Sequence, residues 1–151
     1  MIVYDLEAAY RRGLRTLVYL DRLAGGGINV RPIPWRLDEF EQADRRTLAT
    51  ENLGAADIVL VSMTSTVEVP AALRRWLLDA VPTRHGRSAL LVVALLGTLP
   101  DGMDPPQSPR LQFIKRTAYE AGCDFLAPMQ PDHDLLPQWS SQPSPHEVRH
   151  R

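Results

Sequence analysis

The chain of 151 residues is 44% apolar and carries 17 basic against 18 acidic residues, a formal net charge of −1. That length and apolar content suit one domain with its own hydrophobic core, and the charge balance excludes a general electrostatic footprint for nucleic acid or an anionic membrane. A single cysteine, Cys123, excludes an internal disulfide framework and a multi-cysteine zinc site.

The opening MIVYDLE has no basic segment ahead of its brief apolar one, so no signal peptide is expected. The longest apolar run, 89–96, is far short of the roughly 20 residues that span a bilayer. These features predict a soluble, cytoplasmic protein with neither membrane nor nucleic-acid partners.

In chain order, Ile2–Tyr4 is the first apolar run. Helical spacing follows from Leu6 to Leu23, with Leu6, Tyr10, Leu14, Leu17, Val18 and Leu20 on one broad side. Arg11, Arg12 and Arg15 on the polar side read as a solvated face or an anionic contact surface, the former being the default. Gly25–Gly27 stop this helix. Ile28–Ile33 alternates and predicts a second strand that leaves through Pro34 and Trp35. Trp35 suits either burial under a helix or stacking on a ligand. A polar helix over Glu39–Leu53 ends at Gly54.

The run IVLVSM, Ile58–Met63, is apolar on both faces, the mark of a central strand covered by helices on both sides. Pro70 then opens a helix whose Leu73, Trp76, Leu77 and Ala80 recur at helical spacing, until Pro82 and Gly86. Ser88–Thr98 predicts a fourth strand, again apolar on both faces. After a long loop, Pro109 leads a helix with Leu111, Ile114, Ala118 and Ala121 as its buried stripe. Phe125–Ala127 supplies a short fifth strand. Beyond residue 130 the sequence is rich in Pro, Ser and Gln, which predicts an extended or disordered tail over 131–151 behind a domain over 1–130.

This alternation predicts a three-layer α/β/α domain with a five-stranded parallel sheet in the flavodoxin-like order 2-1-3-4-5. In such sheets ligands bind beyond the carboxyl ends of the strands. Those ends carry DLEAAY, PWRLDEF, TSTVEV and TLPDGMDPPQSP. The first puts Asp5 and Glu7 at a helix start, where carboxylates suit the dipole but repel a phosphate, and Asp5 reads as an N-cap. No glycine fingerprint of a phosphate loop occurs. The third, with Ser62 just ahead of it, brings Thr64, Ser65 and Thr66, where Thr66 or Ser65 suits a cap for the following helix and all four hydroxyls suit donors to a ligand. Glu68 stands near that helix start without an identifiable catalytic partner. The loop 97–109 is longer than the fold requires and suits a binding segment or a mobile insertion equally. Asp132–His133–Asp134 lacks the donor set of a zinc site, and Cys123 reads as a small buried hydrophobe.

Residues 56–81, ADIVLVSMTSTVEVPAALRRWLLDAV, resemble the matching segment of flavodoxin-like NADPH-dependent FMN reductases, a central strand, a loop and a proline-started amphipathic helix. Pro70, Ala71, Leu73 and Trp76 fall where that pattern has its proline and helix residues. The resemblance implies FMN as cofactor, with Met63–Val67 bordering the flavin ring and Gly97–Thr98 closing the fourth strand. DLEAAY replaces the family's phosphate loop, and Val67–Glu68–Val69 replaces its glycine before the helix. The chain also resembles response-regulator receiver domains in size and element order. Asp5 and Thr98 match two of their functional positions, whereas Ser62–Met63–Thr64 lacks the phosphoacceptor carboxylate and Pro128–Met129 lacks the lysine.

The function expected on these grounds is a non-catalytic regulatory or protein-interaction domain that binds another protein and no cofactor, with a homo-oligomer compatible. The alternative is a divergent FMN-binding flavoprotein or NAD(P)H-dependent flavin reductase, holding FMN through Ser62, Thr64, Ser65, Thr66, Gly97 and Thr98. No catalytic set and no metal site is assigned.

Overall fold

Two strands that are apolar on both faces set the centre of the sheet, because only burial between two helical layers satisfies them. In the computed structural model, which describes residues 1–27, 29–64, 68–84, 89–97 and 104–128, these are β3 (Ile58–Met63) and β4 (Leu91–Leu96), paired in parallel from Ile58↔Leu91 to Met63↔Leu96. β1 (Ile2–Tyr4) lies parallel on the other side of β3. β2 (Pro34–Arg36) and β5 (Asp124–Leu126) form the edges, so the order is β2-β1-β3-β4-β5.

Successive residues of each strand face opposite layers. Val3, Trp35, Val59, Val61, Met63, Val92, Ala94 and Leu96 join one core with α2 (Ala43–Ala55), α3 (Ala71–Ala80) and α4 (Pro109–Glu120). Ile2, Leu60, Val93 and Leu95 join the other, under α1 (Glu7–Leu23). The three-layer α/β/α arrangement and the flavodoxin-like strand order are as expected.

The second strand lies elsewhere than expected. Val30 and Ile33, in the alternating stretch read as a strand, remain 37% and 38% exposed, and β1 pairs instead with Pro34–Trp35–Arg36. Burial of the large indole of Trp35 opposite Val3 outweighs the weaker alternation upstream, and an edge strand tolerates the missing N–H of Pro34. Trp35 is accordingly a core residue, its ring 6.0 Å from that of Phe40, with the Arg45 guanidinium 4.7 Å above it.

Smaller shifts follow from local chemistry. A 3-10 turn over Leu37–Glu41 precedes α2. The helix continues through Gly54 to Ala55, where the buried Arg84 donates to the carbonyls of Leu53, at 2.6 Å, and Ala56. Pro70 is the N-cap of α3 rather than its first residue, and the fifth strand starts one residue early.

α1 and α4 end in the same way. In α1 Gly25 donates to Arg22 O and Gly26 to Asp21 O; in α4 Gly122 donates to Tyr119 O and Cys123 to Ala118 O. This double bond satisfies the last carbonyls, and its left-handed residue is glycine in both, at φ 90° and 69°. Cys123 is buried, as expected. No described helix is long and apolar enough to cross a membrane. The segment 131–151 lies outside the described residues.

Candidate functional site at the carboxyl edge of the sheet

α1 carries the first component. Its buried residues are Ala9, Arg12, Gly13, Thr16 and Leu17, a stripe of mostly small side chains that lets the helix approach the sheet. A Cβ on Gly13 would stand 3.0 Å from Ile2 Cγ2 and 3.1 Å from Leu60 Cδ2. The expected apolar side holds in part: Leu17 is buried and Tyr10, Leu14 and Leu20 pack against the same core, whereas Leu6 and Val18 are about half exposed. Arg12, read as part of a solvated face, is instead fully buried.

Its guanidinium lies beneath the carboxyl ends of β3 and β4. Nε donates to Ser62 Oγ at 3.2 Å, and Nη2 donates to Met63 O at 3.1 Å and Leu95 O at 2.5 Å. Buried charge is tolerated only when its donors are satisfied. The planar fork of arginine meets acceptors from two strands, which lysine's compact ammonium does not.

Asp5 supplies the second component. It is not an N-cap, since Leu6 occupies that position without a side-chain cap. Asp5 Oδ1 accepts the Leu6 N–H at 2.8 Å, and Oδ2 accepts the Thr64 N–H at 2.8 Å across the gap between β1 and β3. The Thr64 hydroxyl makes a longer donation to Oδ1 at 3.4 Å. A carboxylate thus takes up backbone donors at the start of α1 and at the end of the central strand. A phosphate at a strand–helix junction would need donors of this kind.

The third component follows β4. Gly97, at φ 142°, donates its N–H to Met63 O at 3.2 Å and so ties the ends of β3 and β4 together. Asp104 donates its N–H to Leu96 O at 2.6 Å. Its carboxylate receives Arg110 as a two-pronged fork, Nη2 to Oδ1 at 2.6 Å and Nε to Oδ2, together with the Ser108 hydroxyl at 2.6 Å. The Arg110 bond holds the Asp104 carboxyl below its usual value of 3.8; desolvation opposes this, and Ser108, Arg110 and the more distant Arg12 charge add to it.

Of the residues expected at a site, Ser62, Thr64 and Gly97 are buried and meet at this edge. Ser65, Thr66 and Thr98, and with them the capping role considered for the first two, lie outside the described residues. Asp101, Met103 and Asp132–His133–Asp134 also lie outside them, and Glu68 is exposed. The described residues include no group of three His, Cys, Asp or Glu side chains able to hold a metal ion.

Arg12, Arg110 and the reach of Asp5 to Thr64 escape a reading by charge alone. The run of Ala9, Gly13 and Thr16 at helical spacing is the signal that could have found Arg12, since small residues mark the face where a helix approaches a sheet.

Among the described residues Ser62 faces a cation and Thr64 a carboxylate, and the two hydroxyls enter no base–nucleophile relay. Compared with protein-family models, curated proteins and solved structures, the chain matches none of them.

Proposed function

We propose that this chain is a non-catalytic regulatory or protein-interaction domain, built on a flavodoxin-like frame whose usual ligand edge is filled by its own side chains. One observation carries this reading: the Asp5 carboxylate accepts the N–H groups of Leu6 and Thr64, each at 2.8 Å. An incoming phosphate would meet a negative charge on the donors it requires. The burial of Arg12 beneath the same edge, bonded to Ser62, supports the reading, because it turns the α1 arginine at this edge into the sheet.

The flavin reading that residues 56–81 imply has the hydroxyls of Ser62 and Thr64 in its favour, and both engage Asp5 or Arg12 instead. The receiver-like reading survives as surface contact without phosphotransfer.

The visible spectrum of the purified protein, followed by titration of FMN with flavin fluorescence as readout, tests the proposal. A colourless protein that leaves the fluorescence unquenched is expected. Saturable quenching that is lost when Thr64 is changed to Val would make the edge a flavin site and sink the proposal.

A further inference from the structure

α3 and α4 each present an exposed arginine, Arg74 and Arg116. Between their first turns runs a groove of about 310 Å³, lined by Arg74, Pro109, Gln112, Phe113 and Arg116. Its lining sets the exposed Arg74, Arg116 and Pro109 around a Phe113 ring that is itself buried. The Arg74 guanidinium lies 4.7 Å above the Phe113 ring, and this stacking holds it flat while its edge N–H groups remain available for a two-pronged bond to a carboxylate.

Neither guanidinium is neutralised in place. Arg74 makes no ion pair among the described residues. Arg116 reaches Glu120 at 3.9 Å with both side chains about 70% exposed, a contact that contributes little. The first turns of α3 and α4 contain no acidic residue, although acidic residues are favoured there. No carboxylate lines the groove among the described residues.

We infer that this groove docks an acidic segment of a partner protein, with Arg74 and Arg116 taking its carboxylates while an apolar side chain between them covers the exposed Pro109. A small inorganic anion would engage the guanidinium groups alone, whereas an extended acidic peptide can meet Arg74 on α3 and Arg116 on α4 and pack on the exposed Pro109 as well. The inference rests on the interaction reading above and names its surface.

The test is an amide-resolved NMR titration of the full chain with a synthetic peptide alternating Glu and Leu, beside a counterpart alternating Gln and Leu. Saturable shifts confined to Arg74, Gln112, Phe113, Arg116 and their neighbours are expected with the Glu peptide only. Affinity should fall by roughly tenfold in Arg74→Gln, and again on raising the salt, as charge-dependent docking requires. Arg116→Gln provides a second surface variant.

Absence of saturable shifts, shifts elsewhere on the fold, indifference to Arg74→Gln, or equal binding of inorganic phosphate at the same residues would each overturn the inference. The two readings fail separately. FMN binding at the sheet edge sinks the interaction reading whatever the peptide does, whereas a protein indifferent to both FMN and peptide sinks only the groove.

Discussion

Replacing Arg12 by Ala removes a wholly buried guanidinium that bonds Ser62 Oγ, Met63 O and Leu95 O. The sum of those bonds is not the loss, because burial of the cation itself costs several kcal/mol. The relevant quantity is what the variant leaves behind. Met63 O keeps the Gly97 N–H at 3.2 Å, and the Ser62 hydroxyl can rotate. Leu95 O faces β3 in the parallel register with Ser62, as the Leu91 and Gly97 N–H bonds to Asp57 O and Met63 O show, so it too keeps a place in the ladder. Losing the charged donor from acceptors that keep their other partners costs about 1–3 kcal/mol, and the cavity left by the side-chain stem adds about 2 kcal/mol. Arg12→Ala should therefore destabilise the domain by about 3–5 kcal/mol, a large part of the roughly 5–15 kcal/mol typical of a domain.

Urea unfolding followed by tryptophan fluorescence reads this directly. Arg12→Met, which restores much of the volume but no donor, should recover part of the loss and stay about 1–3 kcal/mol below the parent. Arg11→Ala is the control: that side chain is 69% exposed and pairs only with Glu7 one turn away, so its effect should stay within about 0.5 kcal/mol. If Arg12→Ala unfolds within about 0.5 kcal/mol of the parent, Arg12 does not hold the strand ends, and the account of the edge fails.

Three further outcomes follow from the same cluster. Asp5→Ala strips the acceptor from the buried Thr64 amide, while water replaces it at exposed Leu6, so a loss of about 1–2 kcal/mol is expected in the same urea assay; a neutral result would mean that Asp5 does not close the edge. Gly97→Ala places a side chain at φ 142° and should lose about 1–3 kcal/mol, seen as a lower melting temperature in thermal circular dichroism. The Asp104 carboxyl is depressed below 3.8 chiefly by the Arg110 bond, so its contribution is fully present above that pH and is lost as pH falls through the lower folded value. The stability gap between parent and Asp104→Asn, about 1–2 kcal/mol at neutral pH, should therefore close in acid, and a gap that widened in acid would reverse the assigned sign.

The centre of this fold was more legible than its edges for a physical reason. β3 and β4 are buried on both faces, so their apolar runs have few alternative uses, and α3 and α4 repeat their buried residues at helical spacing. β2 pairs with one neighbour only, and the choice between Ile28–Ile33 and Pro34–Arg36 was decided by a single indole finding a buried seat. In α1 small residues share the sheet face with Leu17, because close approach needs Gly13 where Ile2 and Leu60 already fill the space. Arg12 then enters the interior through a face that a hydropathy reading assigns to water. At the site, the positions of Ser62, Thr64 and Gly97 at the strand ends were readable. Their partners were not, because Asp5 and Arg12 reach them across 59 and 50 residues of sequence, and no local pattern encodes such pairings.

The central claim is that the edge of the sheet is closed by Asp5 on the Leu6 and Thr64 N–H groups. The most direct test follows those two amide resonances in an NMR titration with FMN and, separately, with inorganic phosphate. The account predicts that both resonances stay in place as either ligand is added. Saturable movement of both together would show that a phosphate displaces the Asp5 carboxylate, and would contradict it.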